Sequence, residues 1–196
     1  MGETSTSLET EGSHRPYADD FVVLCAGAVD APLSTVRHVL DRLGLTLNET
    51  KTRIVDARQE SFNFLGFAIR VSKSWKTGKS YQHICPAPKS LAKIKDRITR
   101  LSARERTPIP LEDIVGSMNA SLRGWANYFH YRNSSGVLEK VKTHAEERLR
   151  THLMKRHKVK DRGIGLGRFP SQQLYAKYGL YKVPTTAGWK TAYASA

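Results

Sequence analysis

The chain has 196 residues, of which 39% are hydrophobic and 26% charged, and its formal net charge is +14 at pH 7. This composition is too apolar for a wholly disordered chain and too polar for a membrane protein, and no stretch approaches the ~18 apolar residues of a membrane span. The length allows one or two small domains, and the charge favours polyanionic partners.

The start of the chain is predicted to be disordered. Residues 1–13 are polar, show no apolar periodicity and lack the basic and apolar regions of a secretory signal. The cysteines Cys25 and Cys85 do not form a CxxC pair, which favours a reducing, cytoplasmic compartment over a disulfide framework. Cys25 ends an apolar run and is predicted to be a small buried hydrophobic residue.

A β-hairpin and a helix are predicted next. Residues 14–25 form two short β-rich runs around the adjacent acids Asp19 and Asp20, and aspartate is a good turn former. Apolar residues at helical spacing follow over Leu33–Leu43, and Gly44 supplies a C-terminal stop.

Strands are predicted after this helix. Arg53–Asp56 and Phe62–Val71 have the composition of strands, Trp75–Lys79 is a turn, and Ser80–Cys85 is the returning strand of a second hairpin. Together with the first hairpin and the helix, they predict a small α+β unit over residues 14–85.

From Lys89 onward the sequence predicts a bundle of three amphipathic helices. The second helix runs over Leu111–Phe129 and the third over Val137–Leu153, with a turn at Asn133–Gly136 between them. The first helix carries an apolar stripe of Leu91, Ile94, Ile98 and Leu101, and a basic stripe of Lys89, Lys93, Arg97, Arg100 and Arg104.

The last segment, residues 158–196, is Gly-rich, basic and aromatic, without a clear period. Its Gly163–Gly167 stretch follows a basic helix rather than a strand, so it is not a dinucleotide fingerprint and is predicted to be a flexible loop. The seven histidines of the chain do not show metal-ligand spacing.

The positive charge lies wholly in the C-terminal part. Residues 1–84 contain 10 basic and 10 acidic residues, whereas residues 85–196 contain 22 basic and 8 acidic ones. Such a field attracts nucleic acid. A merely solvated basic surface and an anionic membrane are the alternatives, although the opposite faces of the basic helices have the pattern of core seams.

Asp19 and Asp20 are the sharpest candidate for catalysis. Two adjacent carboxylates repel each other unless water or a cation compensates. Phosphoryl-transfer polymerases use such acids to hold two Mg²⁺ ions beside the reacting hydroxyl. A plain aspartate turn is the alternative, and the apolar run that follows directly, Phe21–Cys25, favours the polymerase interpretation.

Four segments resemble, in the same order, sequence blocks of group II intron reverse transcriptase/maturases. Tyr17–Phe21 (YADDF) resembles the YxDD block, and Leu43–Thr52 resembles the block that ends the palm helix. Phe62–Phe67 (FNFLGF) is similar to the primer-grip block, and Leu122–Phe129 resembles the RGWxNYF core of the maturase-specific domain. Four ordered blocks are far more specific than one alone.

The resemblance implies an α+β chain with a partial right-hand polymerase palm over residues 14–85 and an all-α, basic thumb and maturase domain over residues 86–196. It implies binding of group II intron RNA, with DNA as an open further partner, and a role in splicing or retrotransposition. Asp19 and Asp20 are then catalytic ligands of Mg²⁺ in an RNA-directed DNA polymerase site.

Two further sets of residues are candidates for binding. The resemblance marks Lys51 as the lysine of its block and implies a nucleotide- or primer-binding set of Tyr17, Lys51, Leu65 and Gly66. Trp125 lies on an apolar stripe and is predicted to belong to the core. The candidate RNA-binding residues, which could track phosphates or stack on bases, are Lys89, Lys93, Arg97, Arg100, Arg104, Arg123, Tyr128, Tyr131 and Arg132.

The sequence departs from the family at its start, where 16 residues precede Tyr17. In the family the remaining metal-binding aspartate comes from the preceding half of the palm, whereas Glu3, Glu9 and Glu11 lie in a polar segment. We therefore expect an incomplete Mg²⁺ site and no DNA polymerisation by this chain alone. Three interpretations stay open: a non-catalytic RNA-binding protein, an enzyme subunit completed by a separate fingers and palm fragment, and a remnant of a mobile element.

Overall fold

The computed structural model describes residues 21–25 and 27–186, and the chain divides into two compact units, residues 1–54 and 55–196. None of the helices in the described ranges has the length and apolar character needed to cross a membrane. The elements in chain order are α1 (Asp30–Arg42), β1 (Phe62–Phe64), β2 (Phe67–Lys73), β3 (Ser80–Pro86), α2 (Pro88–Leu101), α3 (Leu111–Phe129), α4 (Ser135–Arg156), α5 (Arg162–Arg168) and α6 (Ser171–Ala176).

The first unit contains α1, which confirms the helix predicted there. The helix ends at Arg42 with Leu43 as its C-cap, and Gly44 follows with a φ of 68°, the left-handed conformation that favours glycine at a helix end. None of the α1 side chains is buried.

Two predicted runs in this part of the chain are not strands. Residues 21–25 have no regular structure, Leu24 is 76% exposed, and Cys25 is exposed, so the prediction of a buried Cys25 is wrong. An apolar run becomes a strand only where a neighbouring strand completes its hydrogen bonds, and residues 21–25 have none among the described residues. Arg53–Asp56 is also irregular, because the Asp56 carboxylate accepts the Arg58 N–H at 2.9 Å and starts a turn.

The second unit begins with an antiparallel sheet in the order β1-β2-β3. The predicted single strand Phe62–Val71 is two strands, because Leu65 and Gly66 form a two-residue turn with φ of 47° and 81°. Positive φ at both positions matches the right-handed twist of a hairpin. The predicted returning strand is confirmed as β3, and its Ile84 N–H donates to the Asn133 side chain at 3.2 Å, which ties the sheet to the start of α4.

The three predicted helices are confirmed as α2, α3 and α4, and their apolar stripes form one core. Ile98, Leu122 and Leu149, one from each helix, are fully buried in it. Helix α2 ends at Leu101, so Arg104 lies in the following 3₁₀ turn and not on the helix that was predicted to carry it. The α+β class is confirmed, whereas the predicted division of the chain between residues 85 and 86 stays a prediction.

The predicted flexible loop at Gly163–Gly167 is wrong, since this stretch lies within α5. The Asp161 carboxylate accepts the Ile164 N–H at 2.8 Å and caps the helix. Gly165 is buried against α4, where a Cβ would collide with the side chain of Met154. The glycine here permits close helix packing, which outweighs its poor helix propensity.

Candidate nucleic-acid interface

Some basic side chains of the second unit stabilise the fold by donating hydrogen bonds to backbone carbonyls. Arg150, which is buried, donates to the Phe169 carbonyl at 3.0 Å and so fixes the end of α5 to α4. Arg156 donates to the carbonyls of Thr107 and Ile109 at 2.8 and 2.7 Å, which secures the connection between α2 and α3. Hydrogen bonds from cations to buried carbonyls are strong, so these arginines serve the fold rather than a phosphate.

Two histidines of α4 add no charge to this surface. His152 is buried with its Nδ1 3.3 Å from the Ser102 carbonyl, and burial lowers the pKa of its imidazole. Burial also lowers the pKa of His144, whose Nε2 lies 3.1 Å from Thr99 Oγ1. A lowered pKa keeps both rings neutral at pH 7, because the charged form loses its hydration.

The exposed cations of α2 form the basic surface. Lys89, Lys93, Arg97 and Arg100 are all exposed, as the predicted basic stripe requires. Arg97 Nε donates to Ser121 Oγ at 2.7 Å, which directs the guanidinium toward α3. The Arg100 pair with Asp96 is an exposed ion pair at 3.0 Å, which stabilises little.

A groove of 480 Å³ lies between α2 and α3, and we call it the basic groove. Two cations from α2 face small residues of α3 across it. Since a Cβ on Gly124 would meet nothing within 4 Å, the α3 side of the groove is open. The lining residues are Lys93, Ile94, Arg97, Ala120, Ser121, Gly124, Trp125, Tyr128 and Phe129.

Two other predicted RNA-binding arginines stack on tyrosine rings. The Arg123 guanidinium lies 5.3 Å from the centroid of Tyr181, and that of Arg132 lies 5.6 Å from the centroid of Tyr131. Arg132 Nε also donates to the Tyr131 hydroxyl at 3.2 Å. Cation–π contacts hold these guanidinium groups in place at the surface.

The turn between β1 and β2 is seated on the helices. The Gly66 carbonyl accepts both the Ala87 N–H and the Ser90 hydroxyl at 2.8 Å. The Leu65 carbonyl accepts the Tyr128 hydroxyl at 3.0 Å. These three hydrogen bonds hold Leu65 in a φ that a leucine rarely adopts.

A second groove, of 450 Å³, opens beside this turn, and we call it the aromatic groove. The ring of Phe67 stacks with Tyr128 at 5.8 Å and meets Tyr131 edge-on at 6.5 Å. The two tyrosines are 55% and 44% exposed, so both rings are accessible from the surface. The lining residues are Phe64, Leu65, Phe67, Ile69, Ile84, Asn127, Tyr128, His130 and Tyr131.

The predicted catalytic residues Asp19 and Asp20 lie outside the described residues, as does Tyr17 of the predicted nucleotide- or primer-binding set. Lys51 lies in an exposed turn of the first unit, where its N–H donates to the Asn48 carbonyl at 3.1 Å. No group of three His, Cys, Asp or Glu side chains that could hold a metal ion occurs within residues 21–25 and 27–186.

Sequence reasoning missed several residues of the two grooves. Ser121 orients Arg97, and Phe67 supplies the ring on which Tyr128 stacks. Phe67 had a signal in the FLGF segment, which was predicted to be a strand and resembles the primer-grip block, although Phe67 itself was not named as a binding residue. Ser121 had none, because its role depends on a contact across 24 residues.

Two comparisons with known proteins found similarity to parts of this chain. Residues 91–168, from α2 through α5, match the family described as "Group II intron, maturase-specific domain". An uncharacterized 91 kDa protein in the cob intron of Schizosaccharomyces pombe is 24% identical over 138 residues, which cover 61% of this chain. The aligned region spans 17% of the length of that protein.

Proposed function

We propose, from the match of residues 91–168 to the group II intron maturase-specific domain, that the chain binds folded intron RNA and supports its splicing. The α2–α3 face is the proposed binding surface. As part of the same proposal, we assign α2 and α3 to the thumb of a polymerase.

One observation carries the proposal: two exposed cations of α2, Lys93 and Arg97, line the basic groove within the matched region. Lys93 and Arg97 face a side of α3 that Ala120, Ser121 and Gly124 keep shallow. A phosphate backbone needs positive charge and close access, and the basic groove supplies both. The structural arginines of α4, in contrast, are held by carbonyls of the fold.

The polymerase component of the proposal is separate. We propose that Asp19 and Asp20 supply two carboxylate ligands for Mg²⁺, on the strength of the YADDF segment alone. RNA binding by the second unit requires neither residue, so the two components can fail independently.

The test is the salt dependence of affinity for a folded group II intron RNA. The variant Lys93→Gln/Arg97→Gln/Arg100→Gln removes three charges from α2. Because each lost phosphate contact flattens the plot of log affinity against log salt by about 0.7–0.9, we expect a slope smaller by about two to three.

The matched control removes three exposed charges from the β2–β3 turn, as Lys73→Gln/Lys76→Gln/Lys79→Gln. Both variants have the same net charge, so a general field affects them equally. If both lower the affinity and the slope to the same extent, the α2–α3 face is only a solvated basic surface and the proposal fails.

A further inference from the structure

The basic groove and the aromatic groove share one wall. Tyr128 lines both, with Lys93 and Arg97 in the first and Phe67 and Tyr131 in the second. The Tyr128 hydroxyl is fixed on the Leu65 carbonyl, and its ring is packed on Phe67, so the wall is held in position from two sides. A ligand that occupied both grooves would need an anionic part and a flat apolar part.

The aromatic groove has the properties of a base-binding site. Its rings come from Phe67, Tyr128 and Tyr131, and aromatic rings accept nucleobases by stacking. Asn127 also lines the groove, and an amide side chain both donates and accepts hydrogen bonds at a base edge. The 450 Å³ volume lies within the range of small-molecule pockets.

We propose that the aromatic groove binds one unpaired base of RNA, whose neighbouring phosphates lie against Lys93 and Arg97 in the basic groove. This proposal rests on the proposed function and specifies it, because it names an unpaired nucleotide as the element of intron RNA that is recognised.

Charge decides between RNA and the other occupant of an apolar groove, a segment of protein. An apolar peptide gains nothing from Lys93 and Arg97 next to the groove, whereas a nucleotide carries its phosphate directly beside its base. Paired bases are also excluded by geometry, since a base can stack on the rings of this groove only when it is unstacked from its neighbours.

The first experiment compares three RNA hairpins of equal length: one with a single bulged adenosine, one with an abasic residue at the bulge, and one fully paired. Stacking of one base changes affinity by about five- to 150-fold, so the bulged hairpin should bind the full chain more tightly than the abasic one by a factor in this range. Tyr131→Ala should remove that difference, so that the bulged and abasic hairpins bind this variant with equal affinity.

The matched control is Tyr81→Ala, which removes an exposed tyrosine of β3 that lines neither groove. It should preserve the preference for the bulged base. If Tyr131→Ala keeps the preference, or if Tyr81→Ala removes it equally, the base does not lie in the aromatic groove and the proposal is wrong.

A second experiment needs no variant and therefore does not depend on folding of Tyr131→Ala. With 2-aminopurine at the bulge, stacking on the aromatic groove should quench its fluorescence when the wild-type chain binds. Equal affinity for the bulged and abasic hairpins, with no quenching, would overturn the base site and leave a protein segment as the occupant. RNA binding that still depends on Lys93 and Arg97 would then leave the proposed function intact, whereas loss of that dependence would refute the function itself.

Discussion

The two units of the chain differ in what their side chains bury. In the first unit, none of the α1 side chains is buried, and the apolar run at residues 21–25 is exposed. In the second unit, α2, α3 and α4 share a core whose central residues are fully buried. The second unit therefore carries the stability of the described structure, because burial of apolar surface is the main favourable term in folding.

The N-terminal and C-terminal parts of the chain also differ in charge. The excess positive charge lies in residues 85–196, and the structure distinguishes arginines that hold the fold, such as Arg150, from exposed cations that line a groove, such as Lys93 and Arg97. A net charge alone does not make this distinction. Arginines held by carbonyls of the fold are not free to bind a phosphate, so a count of basic residues overstates the binding surface.

The largest expected effect tests the difference in burial. Leu122→Ala empties a fully buried position between α2, α3 and α4, and such a deletion costs about 2–5 kcal/mol in the free energy of unfolding. Val39→Ala in α1 truncates a residue that is 48% exposed and should change the free energy by less than about 0.5 kcal/mol. Urea denaturation of both variants checks this, and equal costs would show that α1 is as tightly packed as the bundle.

The second-largest expected loss of stability tests whether the sheet and the helices form one stable unit. Gly66→Ala places a Cβ 3.0 Å from Ser90 Oγ and 3.2 Å from the Phe129 ring, at a φ of 81°. The strained φ alone costs about 1 kcal/mol, and the crowding adds to it. Thermal unfolding should show a clear loss of stability.

The matched control for Gly66 is Gly78→Ala, which has a similar φ of 65° but no atom within 4 Å of the added Cβ. Gly78→Ala should lower the stability only by the cost of the strained φ, about 1 kcal/mol. If both variants lose the same stability, the Leu65–Gly66 turn is not packed on the helices as the structure shows.

The smallest effect has the opposite sign. Gly124 and Gly116 both lie inside α3 with open space at the Cβ position, so alanine at either should stabilise the helix by about 0.5–1 kcal/mol. Only Gly124 lines the basic groove, so Gly124→Ala alone should weaken binding of intron RNA. If the two variants bind RNA with equal affinity, the RNA backbone does not approach α3 at Gly124.

Periodicity predicted most of the fold, because the helical stripes depend on local spacing. Ile94, Ile98 and Leu122 are buried as their pattern indicates. The turn at Leu65–Gly66 was missed since leucine disfavours positive φ, and tertiary hydrogen bonds from Tyr128 and Ser90 override that preference.

Helix α5 was missed for a similar reason, because its glycines disfavour a helix in isolation and become favourable only against Met154. The candidate site was predicted in part. The basic stripe of α2 follows from helical spacing, whereas the distinction between structural and exposed arginines depends on which backbone carbonyls lie near them in the folded chain. Arg150, for example, meets the Phe169 carbonyl only in the folded chain.

The most direct test of the central claim measures affinity for a folded group II intron RNA with one variant in each unit. Asp19→Ala/Asp20→Ala removes two negative charges from the first unit and should bind as tightly as the wild type or slightly more tightly. Lys93→Gln/Arg97→Gln/Arg100→Gln in the second should raise the Kd by about tenfold or more at 0.15 M salt. Weaker binding by the aspartate variant, with unchanged binding by the α2 variant, would contradict the account.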